Sequence, residues 1–197
     1  TNRCNARCTH CMFACSPETG EEMGAELSAS VVEEAISLGC RLFYFTGGEP
    51  TLHASFPDLC ERILREDGSH VVVLTNGLTA RKMVPRMADW PAGRVHFQVS
   101  LDGSRANHDA LRGDGAYDRA KSDVARLRDA GFPVTLAMTV HRDNVDDMPH
   151  IVELAGDLDL GNVHYLWLFG RGNATEDLLA EPERIWPRLR EAAERGE

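Results

Sequence analysis

The sequence predicts an α/β domain with a parallel sheet, and two repeating patterns carry that prediction. Short apolar runs, rich in β-branched and aromatic residues, recur along the chain, and each ends at a turn. Such runs are typical of strands that are buried on both faces of a parallel sheet. Amphipathic segments of helical period separate them, which is the pattern of right-handed β-α crossovers. Repeats of this kind form either an open sheet or a barrel.

The strands and helices can be placed in chain order. Strands are predicted at residues 41–46, 70–75, 95–101, 133–140 and 163–169. Helices are predicted at residues 28–38, 56–66, 79–89, 117–130, 145–157 and 182–194. Ser28 is placed to cap the first helix, because a serine hydroxyl accepts a hydrogen bond from the free N–H groups of a first turn. Gly131 follows the fourth helix and is expected to end it.

The composition is that of an ordinary globular domain with one core. The chain has 197 residues, of which 43% are hydrophobic and 26% are charged. No apolar run approaches the roughly 18 residues that a membrane span requires. The 21 basic and 31 acidic side chains give a net charge of −10, the opposite of what a nucleic-acid binder needs. We therefore expect neither a membrane nor a nucleic acid as a partner.

The cysteines are distributed unevenly along the chain. Four of the 6 cysteines crowd into residues 4–15, whereas Cys40 and Cys60 lie in apolar helical contexts and are predicted to be core residues. This distribution favours a reducing, cytoplasmic compartment over a disulfide framework.

Three of the crowded cysteines form a motif. Cys4, Cys8 and Cys11 have the spacing C-x3-C-x2-C, which offers three thiolates from one short loop. On a four-iron cluster, three thiolates leave one iron open to a further ligand. A structural zinc site is the alternative, because zinc prefers a closed set of four ligands and Cys15 or His10 could complete one. We interpret Cys15 as a spare buried thiol and His10 as a residue that shields the cluster.

Further motifs follow at the carboxyl ends of the predicted strands. They are FTGGEP at residues 45–50, LTNG at 74–77, VSLDG at 99–103 and TVH at 139–141. Because the carboxyl ends of parallel strands gather at one edge, where ligands bind, these motifs predict a single site.

Other polar and aromatic residues receive a structural interpretation. His53, His141 and His164 are interpreted as ordinary polar or core histidines. The alternating aromatic residues at 165, 167 and 169 predict a face that lies in the core or lines a barrel.

In this order, the motifs resemble the catalytic core of radical S-adenosylmethionine (SAM) enzymes, and the resemblance covers residues 1–173. It implies a partial (β/α)6 barrel whose first strand is cut away before Thr1. It also implies a [4Fe–4S] cluster on Cys4, Cys8 and Cys11, with SAM on the open iron. In this family, SAM is cleaved to a 5′-deoxyadenosyl radical that removes a hydrogen from the substrate. A flavodoxin or ferredoxin is the implied electron donor.

The resemblance assigns contacts to both ends of the SAM methionine group. Gly47, Gly48 and Glu49 would hold the ammonium, since glycines let backbone carbonyls approach closely. Arg112 matches a family arginine and would bind the carboxylate.

The resemblance also assigns contacts to the nucleoside part of SAM. Ser100 and Asp102 would bind the ribose, because alternate positions of a strand point to one side. Asn76 and Thr139 are candidates near the adenosine.

The segment at residues 100–113 looks like the SPASM-type subfamily, whose members modify peptides and proteins and carry a cysteine-rich extension for auxiliary clusters. We therefore expect residues 1–197 to be a catalytic domain excised from a longer chain, without that extension, that acts on a peptide or protein. One alternative is a small-molecule enzyme of haem or molybdenum-cofactor biosynthesis. Another, from a different class, is a non-catalytic iron–sulfur or zinc-binding module.

Overall fold

The computed structural model, which describes residues 1–196, contains five parallel strands in a curled half-barrel. Each strand pairs in parallel with the next strand along the chain, so the spatial order is the chain order. The strands are Leu42–Phe45 (β1), His70–Thr75 (β2), Val95–Ser100 (β3), Val134–Val140 (β4) and Val163–Trp167 (β5). The predicted α/β class and partial barrel are confirmed.

Helices connect successive strands, as the crossovers require. They are Ala25–Ser37 (α1), Phe56–Leu64 (α2), Ala80–Met83 (α3), Arg105–Arg112 (α4), Ala116–Asp129 (α5), Met148–Asp157 (α6) and Pro182–Arg195 (α7). Within residues 1–196, no helix is both long and apolar enough to cross a membrane.

The core lies between the outer face of the sheet and the helices. In β3, Val95, Phe97 and Val99 are buried in this core, whereas His96 and Gln98 on the inner face are only half-buried. The expectation of strands buried on both faces is therefore wrong for β3. The physical reason is that α5 packs on the outer face, while the concave inner face borders an open cavity.

Two helix predictions differ from the structure in detail. The helix α1 begins at Ala25 after Gly24, so Ser28 is not its cap; the Ser28 hydroxyl instead donates to the Gly24 carbonyl at 2.9 Å. The predicted helix 79–89 is only the short α3 followed by a 3-10 turn, Val84–Met87. Pro85 explains the change, because it has no N–H to continue the α-helical pattern.

The two cysteines outside the first loop have different environments. Cys60 is fully buried in α2, as predicted. Cys40 is exposed, so its assignment to the core is wrong. It lies in the turn between α1 and β1, and the neighbouring residues 37–42 are all exposed as well, so no other element covers this turn.

The position of the core predicts how two leucines differ in their contribution to stability. Leu136 in β4 is completely buried, whereas Leu38 after α1 is 77% exposed. We expect Leu136→Ala to lower the free energy of unfolding by about 2–5 kcal/mol, because it removes buried methyl groups and leaves a cavity. Leu38→Ala should change it by less than about 0.5 kcal/mol. Urea unfolding of both variants measures the two changes. An equal loss of unfolding free energy in both would show that Leu136 does not lie in the core.

Candidate functional site

Most of the predicted site residues line one cavity of about 280 Å³ at the carboxyl ends of the strands. The two exceptions are Glu49 and Asp102, whose side chains are completely buried behind the cavity wall. The residues that line it are Cys4, Cys8, Cys11, Gly47, Gly48, Asn76, Ser100, Arg112 and Thr139. The structure thus brings together residues that lie more than a hundred positions apart in the sequence.

Each of the three thiols has its own N–H donor, and each donor comes from a different part of the chain. The side-chain amide of Asn76 donates to Cys4 Sγ at 3.7 Å. The guanidinium of Arg112 donates to Cys8 Sγ at 3.8 Å, and the backbone N–H of Cys15 donates to Cys11 Sγ at 3.3 Å. N–H donors stabilise a sulfur that carries negative charge, so this arrangement favours thiolates.

Burial opposes ionisation of the thiols as long as they are free. It raises the pKa of Cys4 and of Cys8 above the usual value, although the charge of Arg112 lowers the pKa of Cys8 in part. It also raises the pKa of Cys15 to about 11. A bound metal group removes this penalty by coordinating the thiolates directly, so these thiols are suited to metal binding rather than to nucleophilic chemistry.

The donor set fits an iron–sulfur cluster. Such clusters are held by cysteine thiolates, each bound to a different iron. Cys4, Cys8 and Cys11 come from one loop and line the same cavity, so they can supply the three thiolates of one cluster.

Glu49 anchors the end of β2 from behind the cavity. Its carboxylate accepts hydrogen bonds from the Thr51 hydroxyl (2.7 Å), the Thr75 hydroxyl (2.9 Å) and the Asn76 backbone N–H (2.9 Å). Burial raises the pKa of Glu49, while these donors lower it in part. The carboxylate thereby fixes Asn76 next to Cys4, and its predicted contact with the SAM ammonium stays a prediction.

Asp102 and Arg112 form a buried ion pair beside Cys8. Arg112 Nε lies 2.5 Å from Asp102 Oδ2, and the Thr139 backbone N–H donates to Asp102 Oδ1 at 2.9 Å. Burial alone would raise the pKa of Asp102, but the charge of Arg112 and the neighbouring His10 hold it well below its usual range. Asp102 therefore orients Arg112, and its predicted contact with a ribose stays a prediction.

Three neutral histidines surround this ion pair. His10 Nε2 lies 3.4 Å from Asp102 Oδ2, and its ring stacks on that of His141. On the other side, the Asp102 backbone N–H donates to His108 Nδ1 at 3.0 Å. Burial lowers the pKa of His10 and of His108 to about 4, so neither ring is charged near neutral pH.

The helix α4, which carries His108 and Arg112, was not predicted from the sequence. Two signals could have found it. Ser104 precedes the helix, and Gly113 follows it with a φ of 102°. Buried His108 and Leu111 are three residues apart and therefore share one face.

The glycines of the FTGGEP motif are needed for contacts within the chain. The Gly48 N–H donates to the Thr1 carbonyl at 2.8 Å, and the Glu49 N–H donates to the Arg3 carbonyl at 2.9 Å. A Cβ on Gly47 or on Gly48 would collide with the carbonyl of Thr1 or of Arg3. The motif thus lets the segment before Cys4 lie directly against the end of β1.

The mouth of the cavity has an apolar rim. Met12 and Phe13 come from the cysteine loop, residues 4–15, and Trp167 and Phe169 come from the end of β5. All four are exposed, with Phe13 at 52% and Phe169 at 65%. Tyr165 differs from the two aromatic residues that follow it, because it packs against the core and donates to the Met148 carbonyl. The predicted aromatic face is therefore divided between core and cavity.

Thiols with separate donors at the mouth of a parallel half-barrel define a site for a metal cluster, and sequence comparison supplies the family. The chain matches the Radical SAM superfamily over residues 1–155. It belongs to this superfamily, whose members use a [4Fe–4S] cluster and SAM.

Two relatives illustrate the range of the family. The chain is 33% identical to the Fe-coproporphyrin III synthase of Methanosarcina barkeri in an alignment of 208 positions that covers 100% of this chain and 51% of that protein. It is also 33% identical to the PqqA peptide cyclase of Rhodopseudomonas palustris in an alignment of 208 positions that covers 99% of this chain and 54% of that protein. The chain thus spans about half the length of these relatives.

Solved structures share the fold. Streptococcus suis SuiB bound to S-adenosylmethionine superposes with a TM-score of 0.79 at 16% identity, covering 98% of this chain and 45% of SuiB. SuiB bound to its precursor peptide SuiA gives a TM-score of 0.81 at 15% identity, covering 98% of this chain and 44% of the SuiB chain. At this identity, the likeness concerns the fold alone.

The buried ion pair predicts a large loss of stability when its anion is removed. Asp102→Asn leaves the Arg112 guanidinium buried without a counter-charge, and we expect unfolding to become easier by about 3–5 kcal/mol. The matched control is Asp118→Asn, which breaks an exposed pair with Arg105 and should leave the urea midpoint close to that of the parent. Urea unfolding measures both, and a small effect of Asp102→Asn would contradict the proposed anchor.

The neutral histidines predict a pH dependence of stability. The unfolded chain protonates His108 below about pH 6.5, whereas the folded chain does so only near pH 4, so stability falls as the pH falls between these values. When the pH is lowered from about 7 to about 5, the free energy of unfolding should fall by roughly 1–2 kcal/mol less in His108→Asn than in the parent. Urea unfolding at both pH values measures the difference. His10 is retained in both proteins, so parallel losses would mean that His108 is not the group responsible.

Proposed function

We propose that this chain is the catalytic part of a radical SAM enzyme that modifies a peptide or protein. The observation that carries the proposal is the set of three thiols, each with its own N–H donor, in the cavity that the strand-end residues line. Family membership supports the cofactors, and the geometry supports the roles of individual residues.

In this proposal, Cys4, Cys8 and Cys11 hold a [4Fe–4S] cluster. When reduced and bound together with SAM, the cluster supplies reductive cleavage of the sulfonium and thus a 5′-deoxyadenosyl radical for hydrogen abstraction. Asn76, Arg112 and the Cys15 backbone N–H donate to the three sulfurs, which lowers the negative charge on them and adjusts the reduction potential.

The remaining cavity residues are assigned to SAM. Arg112 is the cation available for its carboxylate, and Gly47 and Gly48, which line the cavity, are assigned to its amino group because glycine lets backbone carbonyls approach closely. Ser100 and Thr139 offer hydroxyls to the nucleoside.

The SAM cavity also has an apolar part. Leu74, Leu166 and Leu168 line it between the polar residues. These side chains exclude water, which protects a reactive radical from side reactions.

The relatives and the shape of the mouth support a peptide substrate. One relative is a peptide cyclase, and a structural neighbour was solved with its precursor peptide. The exposed rim of Met12, Phe13, Trp167 and Phe169 is the kind of apolar surface to which a peptide side chain can bind.

Haem biosynthesis is the second candidate, because an Fe-coproporphyrin III synthase is 33% identical over 100% of the chain. Such a porphyrin carries several carboxylates, which require cations for recognition. Of the residues that line the cavity in the described chain, Arg112 alone is a lysine or arginine, and it is already assigned to the carboxylate of SAM. This charge balance favours the peptide.

The proposal extends to the setting of the reaction. Residues 1–197 would be the catalytic domain of a protein about twice as long, as the coverage of the relatives suggests. A flavodoxin or ferredoxin would supply the electron. All six cysteines are free, which suits a reducing cytoplasmic compartment.

Electron paramagnetic resonance tests the proposed cofactors. In the full-length protein, reconstituted without oxygen and reduced with dithionite, we expect a [4Fe–4S] signal that changes when SAM is added, because SAM binds the open iron. Cys8→Ala should lose the signal that responds to SAM, together with the iron of that cluster. Cys15→Ala, the matched control, should keep both. A signal that SAM does not alter, or bound zinc instead of iron, would contradict the proposal.

The same preparation separates the two substrate classes. If the substrate is a peptide, adding Fe-coproporphyrin III should leave the Soret band of the porphyrin unchanged. A saturable shift of that band would favour the haem candidate.

A further inference from the structure

The turn that follows β5, residues 170–174, packs directly on the cysteine loop. The backbone N–H of Asn173 donates to the Cys11 carbonyl at 2.9 Å. Its side-chain amide donates to the Cys8 carbonyl at 3.1 Å. One residue therefore binds the backbone of two of the three predicted cluster ligands, although it lies far from them in the sequence.

The residue before Asn173 must be a glycine for this contact to form. Gly172 has a φ of 67°, in the left-handed region that glycine adopts without strain. A Cβ at this position would collide with the carbonyl oxygens of Cys11 and Met12. The absence of a side chain thus allows the two backbones to lie against each other.

The turn is itself fixed to the sheet. Just before it, the Leu168 N–H donates to the Val140 carbonyl at the end of β4. At its far end, Ala174 is buried and its N–H donates to the Arg171 carbonyl. The turn can therefore transmit the rigidity of β4 and β5 to the cysteine loop, which has neither helix nor strand between residues 4 and 15.

We propose that the Gly172-Asn173 turn is a positioning element for the metal group. It holds the carbonyls of Cys8 and Cys11 in place, and so it limits the orientations that the two thiols can adopt. Neither residue lines the cavity that the thiols face. The identity of that group rests on the function proposed above, whereas the contact with the loop does not.

The first test replaces the side-chain donor without changing its size. Asn173→Asp puts carboxylate oxygens opposite the Cys8 carbonyl, where they cannot donate and instead repel. In the full-length protein before reconstitution, hydrogen–deuterium exchange across residues 4–15 should become roughly five-fold faster. After reconstitution, release of iron to a chelator should become roughly ten-fold faster, and the line shape of the reduced-cluster signal should change. The urea midpoint should stay close to that of the parent, because Asn173 is exposed.

The matched control is Asn162→Asp. Asn162 is also exposed, and within the described residues its side chain takes part in no hydrogen bond. It should reproduce the parent in exchange, in iron release and in the line shape of the signal.

The second test addresses the close approach of the two backbones. Gly172→Ala adds the Cβ that would collide with the loop, whereas Gly68→Ala adds one at a similar φ of 74° with no atom within 4 Å. Both carry the strain of a left-handed alanine, so the difference between them reports the collision alone. We expect faster exchange across residues 4–15 and faster iron release only in Gly172→Ala.

The results separate this proposal from the proposed function. Exchange and iron release equal to the controls in both variants would overturn the positioning role. A protein that binds no cluster would overturn the proposed function, and exchange before reconstitution would still decide whether the turn holds the loop.

Discussion

The cysteine loop depends on hydrogen bonds from the rest of the chain, because it contains no regular secondary structure of its own. Asn76 reaches it from the end of β2, and Arg112 and the Leu111 carbonyl reach it from the end of α4. Asn173 reaches it from the turn after β5. The strands that supply these contacts are rigid because their outer faces are packed under helices. The hydrophobic core of the half-barrel therefore fixes the positions of the thiols through these hydrogen bonds.

Two buried carboxylates connect that core to the site. Glu49 binds the end of β2, and Asp102 binds Thr139 near the end of β4 as well as Arg112. Each accepts hydrogen bonds from the protein and thereby positions a residue that lines the cavity, Asn76 for Glu49 and Arg112 for Asp102. The contacts with SAM that the sequence predicts for both acids stay predictions.

Periodicity and turn residues were sufficient to predict the strands, because buried strands leave a continuous apolar signature. The same reasoning predicted that the site lies at the carboxyl ends of the strands. The spacing of Cys4, Cys8 and Cys11 identified the cysteine loop. What could not be predicted depends on tertiary contacts. The exposure of Cys40 reflects an open sheet edge, and the displacement of Ser28 from the cap reflects where α1 begins to pack. Asn173 lies in a polar turn with no pattern, and only the fold brings it to Cys8.

The order of the strands has a consequence for biosynthesis. Each strand pairs with the one made just before it, so the sheet can grow while the ribosome is still adding residues. The thiols precede all five strands in the sequence, whereas the contact from Asn173 requires the turn after β5. Until then, Cys4, Cys8 and Cys11 are exposed to whatever metal or oxidant the nascent chain meets. The delivery of iron to such a site is therefore best timed after translation has passed β5.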